Sequence, residues 1–524
     1  MSDFVTFDLE LQMDVCSDLL DPDGYVVNDP DGEAIQVLGG WVNVLGDTRG
    51  SVPIEFSRGN QGNDIVDRVG DEGVLTCGMD NSEHNSAGLA GYYSPDHINL
   101  RATFGQDVAT RLKITYDGTD YYDWQGKVNS ILPLSGIAGE RVSYVTCLDY
   151  MHELYKADFQ DIAVQTNKRD DELLALITAK AEVEPEETDY DTGGYEYPYA
   201  FHDQKLGTSK LINAVQRLMM SGLGKVFVRG STTSGEVLTY INLSNIINAS
   251  TPVAALYDNM TGLDVVRDDT NKIKSVYVTT HPVEVDGSPV VLWQLNSEIS
   301  IAAGESKTFL MSLRDPNGRA THVSALSLED PVADTDYKFS SVSGSGNDLN
   351  GSVSFEFSEG TYSYEVTVTN NAAVTGYLWF FKPRGTGVYL YEPTTTKEET
   401  GQGSGKSLTV DMFYQDDPNV GTDVTAIVKN WYEENNSNVR TARFIANTSE
   451  ELMLAALTVQ CGDYVTIYET LTGINSGFVV NGTKKKIVNG NFLYVEWTLC
   501  NAQTISNMFV LDVDALDSSG ILGV

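Results

Sequence analysis

Cysteine is scarce in this chain of 524 residues. The five cysteines, Cys16, Cys77, Cys147, Cys461 and Cys500, are odd in number and lie far apart in the sequence. No C-x-x-C pair occurs, which excludes a zinc ribbon and a thioredoxin-type redox motif. We therefore expect buried free thiols, formed in a reducing cytoplasm.

Basic residues are also few. The chain has 34 Lys and Arg against 74 Asp and Glu, which gives a formal net charge of −40. A protein that holds nucleic acid along its surface needs a basic stripe, and binding to anionic membranes needs a basic cluster. The charge therefore excludes stable nucleic-acid binding and predicts repulsion of DNA.

Long apolar runs are missing. No stretch reaches the roughly 18 consecutive apolar residues that a membrane-spanning helix needs. Residues 1–16 have neither a basic start nor an apolar segment of the kind found in a secretory signal. We expect no integral membrane segment and no signal peptide.

Two partial motifs for bound ions or nucleotides each lack a residue that the motif requires. The segment 152–156 begins with His152-Glu153, but Lys156 stands where a zinc site of the H-E-x-x-H type needs its second histidine. The segment 401–407, GQGSGKS, suggests a phosphate-binding loop, yet Thr400 stands where the first glycine belongs and a strand-like run follows. We interpret the first as a surface helix turn and the second as a flexible linker.

Other candidate features stay open as pairs of alternatives. The two DPDG tetrapeptides at 21–24 and 29–32 fit type I turns, with calcium binding as the alternative. The basic run 484–486 fits a solvated strand end, or a contact with an acidic neighbouring subunit. G-x-S-x-G is absent, which excludes the α/β-hydrolase nucleophile elbow. We assign no catalytic, cofactor-binding or metal-ligating residue, and we expect a protein that is not an enzyme.

Short alternating runs dominate the rest of the sequence and predict β-strands, because alternation places one set of side chains in a core and the other in solvent. Helical patterns are confined to 170–183, 209–222 with Gly222 as a C-cap, and 422–435. Thr448 and Glu451 have the spacing of a capping box before a short helix. The predicted fold class is mainly β with minor α.

Composition marks the boundaries between these regions. Residues 183–203 are acidic and rich in tyrosine, which predicts a surface loop, and 394–407 has the composition of a linker. Residues 290–393 carry evenly spaced short strands without a helical pattern, which predicts a β-sandwich.

The order of motifs resembles that of tail hub (tail-tip or baseplate hub) proteins of tailed bacteriophages. In the N-terminal part, a strand ends in Asp80-Asn81-Ser82, a loop ends in Tyr93-Ser94-Pro95, and a strand pair turns at Asp117-Gly118. Further segments that are similar to this family are 142–154, 165–177, 438–446, 450–457, 461–467, 477–487, 492–502 and 509–524. The segments 315–339 and 367–393 resemble a sandwich domain found in such proteins.

The resemblance implies a domain organisation. It comprises two related β-barrel-like hub domains, a small α/β segment with two helices and an inserted β-sandwich. The expected boundaries are 1–150 for the first hub domain, 151–250 for the α+β domain, 251–289 with 400–505 for the second hub domain, 290–393 for the sandwich, and 506–524 for a C-terminal tail.

The resemblance also implies a function. The chain would be a structural virion protein whose homotrimer forms a pseudo-sixfold ring that closes the tail tube and lets DNA pass during infection. Its partners would be further copies of the chain, the tube-closing distal tail protein, the tape-measure protein and a tail fibre or spike. It would be assembled in the host bacterial cytoplasm and reside at the virion tail tip.

A binding module is the alternative function. Trp293, Tyr364, Tyr377 and Trp379 of the predicted sandwich could stack on sugars of a host receptor, although aromatic core residues are more common. This alternative connects the chain with host attachment. A cell-wall hydrolase is a third class, for which no motif is present.

Overall fold

The computed structural model describes residues 4–15, 17–18, 36–37, 40–62, 66–134, 141–159, 162–202, 209–266, 272–358, 363–401, 405–434, 438–502, 508–509 and 521–522. Strands predominate in these ranges, which confirms the prediction of a mainly β chain with minor α.

The first part of the chain is built from strands and one short helix. The strands are β1 (Asp8–Asp14), β2 (Ser17–Asp18), β3 (Gln36–Val37), β4 (Trp41–Asn43), β5 (Ile54–Gly59), β6 (Val74–Asp80), β7 (Ala109–Tyr116), β8 (Thr119–Pro133) and β9 (Val142–Leu148), and helix α1 spans Met151–Lys156.

Helices and strands alternate in the next part. These elements are β10 (Gln165–Arg169), α2 (Asp170–Thr178), β11 (Glu187–Tyr190), β12 (Glu196–Ala200), α3 (Leu211–Gly222), β13 (Lys225–Arg229), β14 (Val237–Ile241), α4 (Leu243–Ile247), β15 (Ala254–Tyr257) and β16 (Gly262–Val266).

A long run of strands comes next. They are β17 (Ile273–Thr280), β18 (Val283–Val285), β19 (Val290–Val291), β20 (Ile299–Ile301), β21 (Ser306–Ser312), β22 (His322–Leu328), β23 (Tyr337–Val342), β24 (Ser345–Asp348), β25 (Val353–Ser358), β26 (Ser363–Asn370), β27 (Gly376–Phe381), β28 (Arg384–Leu390), β29 (Thr394–Glu399) and β30 (Lys406–Met412).

The last part contains two helices and the longest hairpin. It consists of α5 (Pro418–Glu434), β31 (Asn438–Ile445), α6 (Glu450–Thr458), β32 (Tyr464–Glu469), β33 (Ile474–Val488), β34 (Phe492–Asn501), β35 (Met508–Phe509) and β36 (Ile521–Leu522).

One sheet of 13 strands runs through the molecule. Its main path is β16-β31-β34-β33-β5-β6-β9-β8-β7-β1-β4, with β32 on β33 and β15 on β32. No sheet among the described residues closes on itself, so the closed form of a barrel is not observed. The largest apolar core lies along this sheet and includes Trp124 and Trp497, both fully buried.

Smaller sheets lie in the middle of the sequence. Strands β18 to β28 form three of them, with the paths β20-β27-β23-β24, β21-β26-β25, and β18-β28-β19 with β22 on β28. Strands β29, β17 and β30 form a separate sheet beneath α5. The expected domain boundaries stay a prediction.

Two segments predicted as irregular contain strands. Within 183–203, β11 pairs with β14 and β12 pairs with β10, so the predicted surface loop is wrong there. Tyr197 of β12 is fully buried in a core with α2 and α3, whereas the described acidic residues of the segment are exposed or half-buried. In the predicted linker 394–407, β29 pairs with β17.

The predicted helices 170–183, 209–222 and 422–435 correspond to α2, α3 and α5, with different caps. Leu223 is the C-cap of α3 in a left-handed conformation, whereas Gly222 is the last helical residue, where a side chain would collide with Asp170. At α6, Ser449 accepts a hydrogen bond from the Leu452 N–H at 3.2 Å. Thr448 bonds to the Ile445 carbonyl instead, so the predicted capping box is wrong.

Candidate assembly interface

The large sheet contains the same strand order twice. Unit 1, defined by β1 and β5 to β9, has the order β5-β6-β9-β8-β7-β1, and unit 2, defined by β15, β16 and β31 to β34, has the order β16-β31-β34-β33-β32-β15. In each unit a strand of 15 residues, β8 or β33, forms a hairpin with the strand before it and pairs with the strand after it. One difference is that β1 is antiparallel to β7, whereas β15 is parallel to β32.

A backbone contact at the entry to the hairpin also recurs. In unit 1 the Asp107 N–H donates to the Val128 carbonyl at 2.8 Å, and in unit 2 the Gly462 N–H donates to the Val480 carbonyl at 2.7 Å. Asp107 and Gly462 both have positive φ, 63° and 90°. Positive φ at corresponding positions, with the same hydrogen bond, supports the equivalence of the two units.

A bulge in the long strand comes after that contact in both units. The register of β8 on β9 shifts between Val128 and Ser130, and the register of β33 on β34 shifts between Val480 and Gly482. The extra residue is an asparagine in each case, Asn129 or Asn481. Because a bulge bends its strand, the second halves of β8 and β33 turn away from their hairpins in the same way.

The two units differ in the segment after their second strand. Helix α6 comes after β31, whereas an irregular segment, 81–104, comes after β6. A buried carboxylate fixes this segment, since Asp47 accepts hydrogen bonds from the Ser86 backbone and hydroxyl and from the Tyr93 hydroxyl. Arg101 lies 3.6 Å from the same carboxylate. The segment 81–104, which contains the loop that resembles the family, therefore occupies in unit 1 the place that helix α6 occupies in unit 2.

The units are joined within the chain through β33 and β5. The second half of β33, from Gly482 to Ile487, pairs antiparallel with β5, from Gly59 to Ile54. A buried ion pair lies at this junction, where Lys485 Nζ is 2.6 and 2.7 Å from the two carboxylate oxygens of Asp123. Lys486 pairs with Glu55 at 2.7 Å.

These contacts decide the role of the basic run 484–486. Lys485 is about 1% exposed and contacts its own chain, so it is neither solvated nor available to a neighbouring subunit. Lys484 is exposed, and the side chain of Lys486 is 44% exposed. No local pattern indicates this burial, because the acidic partner of Lys485 lies 362 residues away.

Two strand edges that correspond to the β33–β5 junction are unpaired among the described residues. The counterpart of the second half of β33 is residues 129–134 in and after β8, and the counterpart of β5 is β16. Among the described residues, β16 pairs only with β31, and no strand covers the outer edge of 129–134. Leu132 and Leu134 on this edge are 60% and 42% exposed.

The hydrogen-bonding pattern of the first edge fits an unpaired strand. The Leu134 N–H donates inward to the Val142 carbonyl, so strand alternation directs the Ile131 N–H outward. Pro133 also stands at an outward position, where its missing N–H breaks no bond within the sheet. An edge of this kind is a template for another strand.

A cavity of about 200 Å³ lies beside the bulge at Asn129. Asp149 and Glu236 line it, and burial raises the pKa of Asp149 to about 6 and that of Glu236 to about 7. Asp149 accepts hydrogen bonds from the Gly73 and Met151 N–H groups through one oxygen only. No group of three His, Cys, Asp or Glu residues in the described ranges could hold a metal ion.

The other sequence candidates are dispersed. His152 lies on α1, where its Nδ1 is 2.5 Å from the Glu72 carboxylate, as expected for a helix turn at the surface. Thr400 is buried and bonds to the Ile273 carbonyl, and strand β30 begins at Lys406. The DPDG segments at 21–24 and 29–32 lie outside the described residues.

The four aromatic candidates for sugar stacking have different environments. Tyr364 is buried and its hydroxyl donates to the Ala325 carbonyl at 2.6 Å, and Trp293 packs on Phe309. On β27, Tyr377 is half-buried and Trp379 is exposed, and Trp379 is the extra residue of a bulge opposite β23. Trp379 is 36% exposed.

Within the described ranges, no helix is long and apolar enough to cross a membrane.

Comparisons with known proteins found structural likeness only. No protein-family model and no curated protein matches the sequence. The tail protein from Neisseria meningitidis MC58 is similar with a TM-score of 0.43 and 9% identity over 94% of this chain and 96% of that one. The 43 kDa tail protein of prophage MuSo2 from Shewanella oneidensis has a TM-score of 0.42 and 9% identity, over 94% and 98%. Prophage tail protein gp18 from Listeria monocytogenes EGD-e has a TM-score of 0.38 and 9% identity, over 94% and 96%. Of these structural neighbours, the first is a tail protein and the other two are prophage tail proteins.

Proposed function

We propose that this chain is a structural protein of a phage-type tail, a hub subunit of the tail tip that closes the tail tube as a homotrimeric ring. The repeated six-strand unit is the observation that carries this proposal. Two equivalent units per chain give six units in three chains, which matches the sixfold symmetry of a hexameric tube.

The ring forms by repeating the junction that already exists within the chain. Unit 1 is joined to unit 2 through β5 and β33, and the open edges are their counterparts, β16 and residues 129–134. Pairing of β16 from one copy with 129–134 of the next is a head-to-tail contact, and such contacts produce a ring when the rotation closes.

The two kinds of junction differ in chemistry. The junction within the chain carries the Lys485–Asp123 pair, whereas the edges between copies carry mainly apolar residues, among them Leu132, Leu134 and Val265. Apolar interfaces are typical of permanent homo-oligomers.

The charge of the chain suits a tube that DNA passes through. A net charge of −40 repels phosphates, so DNA would move past the ring without being held. The distal tail protein, the tape-measure protein and a fibre or spike are the proposed neighbours in the virion.

The decisive experiment measures the mass of the purified full chain by light scattering, with negative-stain images of the same fraction. We expect about three times the chain mass of 57.3 kDa and a ring with a central hole. A chain that stays monomeric both alone and in the presence of purified tail tubes would contradict the proposal.

A receptor-binding role for the inserted sheets is a second candidate. The exposure of Trp379 on β27 favours it, since exposed aromatic faces stack on sugars. We expect the full chain to bind host surface glycans and the Trp379→Ala variant to lose that binding, with Trp293→Ala as a control for lost packing. A glycan array without signal for the full chain would remove this candidate.

A further inference from the structure

Three of the six histidines gather at one place outside the repeated units. His281 lies between β17 and β18, where the chain enters the inserted sheets, and His322 begins β22 of those sheets. His202 lies just after β12 in the body of the molecule. The cluster therefore lies at the root of the inserted sheets formed by β18 to β28.

Phe413 is the centre of this cluster. The His202 ring stacks on it with centroids 5.5 Å apart and planes at 15°, and the His281 ring lies 4.6 Å from it. The Arg217 guanidinium of α3 lies 4.8 Å from the same ring. Phe413 thus contacts His202 and Arg217 of the body and His281 at the entry to the inserted sheets, whose backbone N–H also donates to the Gln415 carbonyl.

The charges around His202 disfavour its protonation. Arg217, His281 and His322 all face it, and each adds positive charge nearby when protonated. Burial first, and then these neighbours, lower the pKa of His202 to about 3, and burial lowers the pKa of His322 to about 4. Both rings are therefore neutral at pH 7 while the contact is closed.

The carboxylate of Asp411 lies in this cluster and pairs with His281. Its oxygen lies 2.6 Å from His281 Nε2, so a protonated His281 keeps an ion-pair partner. His202 is about 1% exposed, and neither of its ring nitrogens has a hydrogen-bond partner among the described residues. Among the described residues, no acceptor is placed to stabilise a proton on His202, whereas water would stabilise it.

We propose that Phe413 and the surrounding histidines form an acid-labile joint that holds the inserted sheets against the body at neutral pH and releases them when His202 and His322 take up protons. The inserted sheets themselves stay folded, because their apolar core, around Phe339 and Phe381, lies apart from the joint. The joint acts in the same way whether or not the chain is a hub subunit.

The expected pH dependence is steep. A histidine in water titrates near pH 6.5, so each of the two rings raises the ratio of open to closed joint about fifteenfold as the pH falls from 6.5 to 5. Together they give a change of roughly two hundredfold over the same pH range. His202→Phe keeps an aromatic ring on Phe413 and should reduce this change to about fifteenfold.

The test measures the distance between spin labels on the body and on the inserted sheets. Leu471→Cys and Leu310→Cys, 95% and 54% exposed, provide the sites in a Cys16→Ser chain whose other cysteines are buried. We expect a single distance distribution at pH 7.5 and a growing second population from pH 6.5 to 5. The His97→Phe variant, which changes an exposed histidine elsewhere, should behave like the parent.

Three outcomes would overturn the proposal. The first is a distance distribution that does not change between pH 7.5 and 5, and the second is an unchanged slope in His202→Phe. The third is a loss of far-UV circular dichroism in step with the distance change, because the opening would then be unfolding of the chain.

Discussion

Lys485 of β33 and Asp123 of β8 form a buried ion pair, with both carboxylate oxygens within 2.7 Å of Nζ and both side chains at most 2% exposed. The pair connects unit 2 to unit 1 across the β33–β5 junction. Burying one charge without the other is costly, whereas a matched apolar pair of similar size is often tolerated. The pair therefore fixes the arrangement of the two units.

Removing one partner should destabilise the chain strongly. Lys485→Met leaves Asp123 buried and unpaired, and we expect the free energy of unfolding to fall by about 3–5 kcal/mol. Urea titration followed by tryptophan fluorescence measures this change. Lys484→Met, on the same strand but exposed, is the matched control and should stay within about 0.5 kcal/mol.

The double variant separates pairing from packing. We expect Lys485→Met with Asp123→Leu to recover at least half of the loss, because no charge then remains buried. A double variant as unstable as the sum of its parts would show that the two side chains act independently.

The open edge beside β8 gives a test of assembly. Leu132→Glu with Leu134→Glu places two charges on the edge that we propose pairs with the next copy, and we expect the dissociation constant of the proposed trimer to rise about tenfold or more. Both leucines are exposed in the single chain, so the circular dichroism spectrum and the midpoint of unfolding of the monomer should not change. Sedimentation velocity measures the oligomer.

Leu310→Glu is the control for that test, since it adds a charge at an exposed leucine of the inserted sheets. It should leave the trimer intact. If both variants weaken the oligomer equally, net charge is the cause and the β8 edge is not the contact.

The predictable part of the fold is the part that each segment encodes locally. Strands such as β7 and β34 alternate in polarity along their own length, and α3 carries its apolar face within 12 residues. The burial of Tyr197 could not be predicted in this way, because it depends on α2 and α3 and not on the acidic residues beside it.

The repeated unit was expected only through the family resemblance and is not visible as a sequence repeat. Its evidence lies in hydrogen bonds between distant strands, such as those of Asp107 to Val128 and of Gly462 to Val480. Different residue types satisfy the same backbone geometry at these positions, since aspartate and glycine both tolerate positive φ. Equivalence of this kind leaves little trace in composition or spacing.

Asp107 and Gly462 occupy equivalent positions, but we expect them to differ in their tolerance to substitution. A Cβ at Gly462 would lie 2.4 Å from Ile241 Cδ1 and 2.6 Å from Phe227 Cζ, and φ there is 90°. We expect Gly462→Ala to lower the free energy of unfolding by roughly 2–4 kcal/mol through backbone strain and overpacking. Asp107→Gly, at the equivalent place, should change it by about 1 kcal/mol or less. Equal losses in both variants, measured by urea titration, would contradict the account of packing at Gly462.

Asp149 should make stability depend on pH. Its carboxyl is buried and its pKa is raised from 3.8 to about 6, mainly by loss of solvation, so the folded chain holds a proton that the unfolded chain releases between about pH 4 and 6. The contribution of this group to the free energy of unfolding therefore falls as pH rises through that window, by up to about 3 kcal/mol.

Asp149→Asn retains an oxygen for the Gly73 and Met151 N–H groups and removes the charge, so it should be more stable relative to the parent at pH 7 than at pH 4.5. At pH 7, the gain in free energy of unfolding should be smaller than about 3 kcal/mol, because buried Arg58 loses a nearby negative charge. Denaturant titrations of both chains at the two pH values measure the difference, with Asp96→Asn at an exposed position as control. A variant that loses more stability at pH 7 than at pH 4.5 would show that the Arg58 interaction outweighs the cost of burying the carboxylate.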